Sequence, residues 1–332
     1  MSAWNRKLRT FFATEAAGGI FLVGAAVVAL VLANSPVKAG FLNLTQHSHI
    51  FVNEFLMSIF FFLVGLEIRR EFSDGELRDP KKAALPVIAA LGGMITPALI
   101  YLTFNSSGLA SKGWAVPMPT DIALALGVLA LLGARVDSSL KIFLLTLAIA
   151  DDLFSIVIMA IFFRNGLELI RVIGTIGAVL LAIIIPVGKK ITVSRLIDRI
   201  HPWSAFMIIP LFALVNIGIT VDIAQLSERI NSPVTRGIIV GRVIGKFVGI
   251  TFFAWLAIKV RVANKPESLS FAEISGAAAL AGMGLTVSLF IAELALTDAT
   301  AIESVKLGLL LSAIIAGSFG YLLLRNYSKP ED

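Results

Sequence analysis

The chain has 332 residues, 57% of them hydrophobic and 15% charged, with three histidines and no cysteine. Soluble domains carry about 25% charged residues, so a mean hydropathy of +0.90 assigns most of this chain to lipid. The net charge of +6 does not indicate nucleic-acid binding, because the basic residues sit in short loops between apolar runs. The lack of cysteine excludes disulfides, thiolate metal sites and cysteine nucleophiles.

A spanning helix needs about 20 apolar residues. The pattern offers ten such stretches, at 16–33, 51–66, 83–104, 114–133, 140–163, 167–187, 204–221, 237–258, 271–296 and 305–324. The expected fold is an all-α polytopic membrane protein forming one integral membrane domain over 1–332. The N-terminal W-N-R-K-L-R-T-F-F reads as an interfacial amphipathic segment. Basic residues before an apolar run also resemble a signal peptide, but we take this run as the first span. His47 and His49 lie in a polar connection, residues 34–50, where solvent exposure is the default.

The loops set the orientation. With the N-terminus inside, the inside segments carry Arg6, Lys7, Arg9; Arg69, Arg70, Arg78, Lys81, Lys82; Arg135; Lys189, Lys190, Arg195, Arg199; Lys259, Arg261, Lys265; and Arg325, Lys329. The outside loops hold only Lys38, Lys112, Arg164, Arg229 and Arg236, with Lys306 at an edge. That bias places both termini in the cytoplasm.

Two spans look broken. The fourth has Pro117 and Pro119 before Thr120, and proline removes a backbone donor. The ninth has Gly282 and Gly284 before Thr286; close helix packing is the alternative reading of those glycines. Spans three to five begin inside and spans eight to ten begin outside, so 83–163 and 237–324 are candidate inverted repeats. Interrupted helices in matching positions of two halves point to a transporter's binding site.

Asp121, Asp151 and Asp152 sit inside these apolar runs. One acid at the centre of a spanning helix costs about 2.5–3.5 kcal/mol on insertion scales. A single aspartate near a helix end can snorkel to water; three together, two of them adjacent, argue for use of the charge. In span eight, Arg242 and Lys246 share a helix face at i, i+4. Arg242 is near enough to the outer end to snorkel, whereas Lys246 lies deeper and needs a partner. Asp151 and Asp152 point about 100° apart around a helix, so one can pair with Lys246 while the other faces a cavity. Carboxylates, a threonine hydroxyl and freed carbonyls suit a small hard cation, and the same carboxylates bind protons. A site holding either, reached alternately from each side, exchanges them.

The stretches P-T-D-I-A-L-A-L-G-V-L-A-L-L-G (119–133), L-A-I-A-D-D (147–152), F-F-L-V-G-L-E-I-R-R-E (61–71) and G-M-G-L-T-V-S-L-F-I-A (282–292) closely resemble the bacterial sodium/proton antiporters of the NhaA type. The resemblance covers about residues 8–325. It implies a secondary active antiporter of the cytoplasmic (inner) membrane, with inverted repeats and two broken, crossing helices. The implied partners are Na⁺ or Li⁺, protons and lipid, with no resident cofactor and no enzymatic activity. It also implies that Asp152 is the principal carboxylate for a transiently bound Na⁺ and that Asp151 is the partner of Lys246. Thr120 and Asp121 match the unwound segment. Glu67, Arg70 and Glu71 match a cluster used in pH response, alongside His201; the other reading of them is a solvated helix end.

The chain departs from the family pattern in several places. Two of the usual twelve spans are missing between Phe163 and the I-P-V-G-K-K stretch at 185–190, together with the H-A-T-L-A-G segment. Ile197 and Asp198 stand where the family often has Glu and His. The first outside connection is too short for the β-hairpin through which some members dimerise, so any homodimer forms without it.

Three rivals remain. An intramembrane aspartyl protease needs acids on facing helices and a G-x-G-D motif, which is absent. A cation channel is obstructed by Lys246. A sodium-coupled symporter on a related fold needs an apolar cavity for an organic solute beside the ion site.

Overall fold

The computed structural model describes residues 3–162, 168–186, 192–220 and 222–327, and every regular element among them is helical. Helix α1 spans Ala3–Ala33, α2 Lys38–Asp74, α3 Pro80–Phe104, α4 Ile122–Leu132, α5 Ser138–Phe162 and α6 Glu168–Ile184. Helix α7 starts at Val193 and continues through Pro202 and a π-helical turn, Ser204–Ile208, to Asn216. Then follow α8 (Ile223–Asn231), α9 (Pro233–Lys259), α10 (Phe271–Leu280), α11 (Thr286–Ala295) and α12 (Ala299–Tyr327).

Among the described residues, six helices are long and apolar enough to cross a membrane: α1 from Thr14, α2, α3, α5, α9 and α12. Helices α4, α6 from Val172, α10 and α11 are shorter and apolar. Each of the ten stretches expected from hydropathy contains helix among the described residues, the fourth and ninth with interruptions. The expected end of the fifth span at Phe163 and most of the I-P-V-G-K-K stretch, including Lys189 and Lys190, lie outside those residues.

Three boundaries differ from the sequence pattern. The connection at 34–50 is not a loop, because Lys38 onward is helical and runs into span two through a π-helical turn at Phe51–Leu56. Its residues mix polar and apolar with no proline after Pro36, so hydropathy alone hid the helix. His47 therefore sits on a helix, bonded at 2.8 Å to the Asn43 carbonyl and exposed, while His49 is only half-buried and faces Glu293. Span seven starts at Val193, capped by the Thr192 side chain accepting from the Arg195 amide. Its first turns carry charges that keep the hydropathy low. Helix α8 lies in the outside connection that holds Arg229, between the seventh and eighth spans.

Long apolar faces point outward to lipid, among them Val23, Val27 and Val31 of α1, and Leu180, Leu181 and Ile184 of α6. With apolar solvent outside, packing must come from close backbone approach rather than from hydrophobic burial. The contact of α3 with α9 shows how. A Cβ added at Gly92 would lie 2.4 Å from the Gly249 carbonyl oxygen, and one at Gly249 would lie 2.2 Å from that of Gly92. Each glycine is where the other helix's backbone passes, so neither tolerates a side chain.

Candidate functional site

Both expected breaks are present. Span four is a short 3₁₀ helix at Leu109–Ala115, then non-helical backbone through 116–121, then α4. Pro117 and Pro119 hold the break open, since neither can donate to a helical ladder. Span nine is α10, a break at 281–285, then α11. The breaks cross: the Asp121 amide donates to the Met283 carbonyl at 2.9 Å. Gly284 is required by that crossing and Gly282 by the approach of α9 to the second break. A Cβ on Gly282 would lie 2.8 Å from the Arg242 carbonyl oxygen, and one on Gly284 would lie 2.8 Å from that of Pro119. Close packing and helix interruption, set out above as alternatives, are here one feature.

The breaks leave helix ends inside the protein. A helix N-terminus is partially positive and a C-terminus partially negative. Asp121 precedes α4, and its carboxylate accepts a 3.1 Å hydrogen bond from the hydroxyl of Thr286, the first residue of α11. One acid thus stands at the start of both half-helices, where a negative charge is most favoured.

Asp151 and Asp152 project from α5 in different directions, as their spacing requires. Asp151 is fully buried, and its Oδ2 lies 2.7 Å from Lys246 Nζ, itself 0% exposed. Thr120 completes the triangle. Its hydroxyl accepts from Lys246 at 2.6 Å and has two acceptors in reach, Asp151 Oδ2 at 2.7 Å and the Ala281 carbonyl at 3.1 Å. Two acceptors for one proton give the hydroxyl two settings, one toward the carboxylate and one toward the second break.

Asp152 is 8% exposed, and its Oδ1 has no hydrogen-bond partner. It lines a cavity with Thr120, Asp121 and Thr286, and the same cavity reaches Glu15, Glu67 and His201. The water-accessible space there is about 50 Å³. That is room for a few water-sized particles and none for an organic solute.

The structure divides the four expected pH-response residues into two groups. Glu67 and His201 meet in the cavity with Glu15, and one ligand-type atom of each lies within 4.8 Å of the others. His201 Nε2 hydrogen-bonds Glu15 Oε1. Glu71 instead ends its helix: its Oε1 accepts from the Glu76 amide at 2.9 Å and from Thr146 at 3.3 Å. Arg70 and Glu71 line a separate, wider groove with Asp74, Asp79 and Asp198. Glu71 is buried rather than solvated.

Arg242 departs from expectation. It does not snorkel; it is 0% exposed and bonded to the two breaks. The i, i+4 spacing correctly put it beside Lys246, but a π-helical turn at Gly241–Gly245 and the crossing backbone beneath it were not visible in the sequence.

Sequence reasoning also missed Glu15, hidden in the apolar run of α1, and a polar cluster near the middle of α2. There Asn53 donates to Glu293 Oε2 at 2.6 Å and to Asn216 Oδ1 at 2.9 Å, while Asn216 donates back at 2.7 Å. His49 approaches Glu293 at 3.3 Å. Asn53 and Glu67 are separated by 14 positions, about 21 Å along a helix, so the cluster lies near the middle of α2 and Glu67 toward its C-terminal end. A polar residue one helical turn from another on a buried face is the only signal that could have found it.

With this geometry in hand, the relatives of the chain are informative. The family model described as "Na+/H+ antiporter 1" matches residues 9–174 and 170–324. The sequence is 38% identical to the Na(+)/H(+) antiporter NhaA of Citrobacter koseri, over 98% of this chain and 99% of that protein. It is 39% identical to the protein of the same name from Escherichia coli O6:H1, over 98% of this chain and 100% of that protein. The latter alignment extends over 387 positions against 332 residues here, so the relative has segments that this chain lacks. The family match divides at 170–174, inside the stretch where the pattern is short of two spans. The chain is a multi-pass membrane protein and belongs to the Na+/H+ antiporter 1 family.

Proposed function

We propose that this chain exchanges Na⁺ or Li⁺ for protons across the bacterial cytoplasmic membrane, the two competing for Asp152. The observation that carries this is the asymmetry of the acidic pair. Asp151 is neutralised by Lys246 at 2.7 Å, whereas Asp152, with no ion pair among the described residues, lines a cavity that already holds Asp121, Thr120 and Thr286. Carboxylate and hydroxyl oxygens are the donors a small hard cation takes. Ionised, Asp152 attracts the cation; protonated, it loses both the charge and a lone pair and releases it.

Lys246 and Asp151 form the second proton-linked pair. A cation or proton in the cavity changes the field on the ion pair, and the Thr120 hydroxyl can turn from Asp151 to the Ala281 carbonyl. Loading of the site is thereby coupled to the crossing of the breaks. The cavity's size favours exchange of ions over symport of an organic solute.

Alternating access needs a site open to one side at a time. The cavity joins Asp152 to Glu67 and His201, while the Asn53–Asn216–Glu293 cluster ties α2, α7 and α11 together about four turns before Glu67 along α2. We assign the Glu67 end to the cytoplasm from the basic loops around it, with both termini on that side. We take 83–163 and 237–324 as inverted repeats; the reciprocal approach of Gly92 and Gly249, from the first span of each, is what a two-fold axis between them produces. Glu67 and His201 serve as a proton route with a modest pH response, and a homodimer would form without a β-hairpin. Everted vesicles bearing the protein test the reading: adding Na⁺ or Li⁺ should move protons out of the acidified lumen. No response to either ion overturns it.

A further inference from the structure

A guanidinium stripped of water is costly unless its donors are all used. Arg242 has no exposure, and its bonds go to backbone carbonyls of both breaks. Nη2 donates to the Pro119 carbonyl at 2.8 Å and Nε to the Gly282 carbonyl at 3.0 Å. Nη1 donates to Ser288 Oγ at 2.7 Å and sits 3.4 Å from the Val116 carbonyl. The carbonyls of 116, 119 and 282 belong to the non-helical backbone of the two breaks, where no helical ladder supplies a donor. Asp121 stands at the starts of the two half-helices, and Arg242 satisfies carbonyls of both breaks.

Gly284 gives independent support. A Cβ there would stand 2.1 Å from Arg242 Nη2. The second break is thus shaped around the guanidinium, not merely adjacent to it. The three side-chain nitrogens are used in different directions, and only a planar fork can do that; the single Nζ of a lysine cannot.

We propose that Arg242 is a positioning residue that clasps the two breaks at a fixed crossing, and so sets the affinity and the Na⁺/Li⁺ preference of the site. The consequence for the cation rests on the antiport reading above. Pro119, which Arg242 holds, directly precedes Thr120 and Asp121; Gly282 lies next to Ala281, the alternative acceptor of Thr120. A shift of either carbonyl moves the oxygens that face Asp152.

The test compares the wild type with Arg242→Lys, which keeps the charge and loses the fork, and Arg242→Gln, which keeps hydrogen bonding and loses the charge. Deuterium exchange of peptides covering 116–121 and 281–285 is read on purified protein, and apparent KM for Na⁺ and for Li⁺ in proteoliposomes. We expect faster exchange in both segments for both variants. Apparent KM for Na⁺ should rise about tenfold, the size of one lost charge-assisted hydrogen bond, with a changed Li⁺/Na⁺ ratio. Unchanged deuterium exchange in the folded variants overturns the clasp, whatever transport does. Faster exchange with unchanged KM and ion ratio also overturns it, leaving a packing role only. Wild-type protein without Na⁺-driven proton flux contradicts the antiport reading separately, because the deuterium comparison does not depend on transport.

Discussion

Asp151 Oδ2 and Lys246 Nζ stand 2.7 Å apart with neither side chain exposed. Removing one member of such a pair strands a charge in the interior, at a cost of about 3–5 kcal/mol. Lys246→Ala should lower the melting temperature sharply. Adding Asp151→Asn should restore part of the loss, since the stranded charge is gone. Thermal unfolding of the two single variants and the double variant checks this; additive losses would show that the two residues are not coupled.

Asp152→Asn should abolish cation-driven proton movement while leaving expression and melting temperature close to wild type. The amide keeps the shape of the side chain, and Asp152 makes no ion pair whose loss would unfold the protein. Near-normal sodium-driven flux in this variant would sink the assignment of Asp152.

Much of this arrangement was legible in the sequence. Aspartates inside hydrocarbon-length runs are expensive, so Asp121, Asp151 and Asp152 drew attention on cost alone. Proline and glycine chemistry located both breaks. Adjacency of Asp151 and Asp152 required them to serve different partners. What stayed hidden depends on which helices meet. Arg242 looked near enough to water to snorkel because a linear pattern does not show the carbonyls beneath it. Glu15 and His201 are 186 positions apart, and nothing local to either marks the pairing. The helix over Lys38–Ile50 was obscured because its polar residues mimic a loop, and Asn53 because an amide in an apolar run is cheaper than a charge and easily passed over.

The polar cluster around Asn53 should be structural. Asn53→Ala leaves Glu293 and Asn216 each short of a donor, and an unsatisfied buried polar group costs about 1–3 kcal/mol. Unfolding of purified protein should show a loss of that size. Asn53→Ala with unchanged stability would show that water replaces the amide and that the cluster does not hold α2, α7 and α11 together.

His201 and Glu67 are on the cavity's route rather than in contact with Asp151 or Lys246. His201→Gln should therefore change the maximal rate by a few fold and leave the pH dependence of apparent sodium affinity in place. A flat affinity-versus-pH profile in that variant would assign the pH response to His201 instead of to the acids.

The competition of protons and cation for Asp152 is tested most directly by titrating Na⁺ in proteoliposomes at several values between about pH 6 and pH 9. The sign follows from linkage: whichever species binds the carboxylate excludes the other, so lowering the pH must weaken apparent sodium affinity. Below the carboxylate's own pKa, competition with one proton raises apparent KM by about tenfold per pH unit, while the maximal rate at saturating Na⁺ changes little. That is the predicted result. An apparent KM that stays constant across the range while the maximal rate collapses at low pH would contradict the account, because pH would then act through a switch elsewhere in the protein.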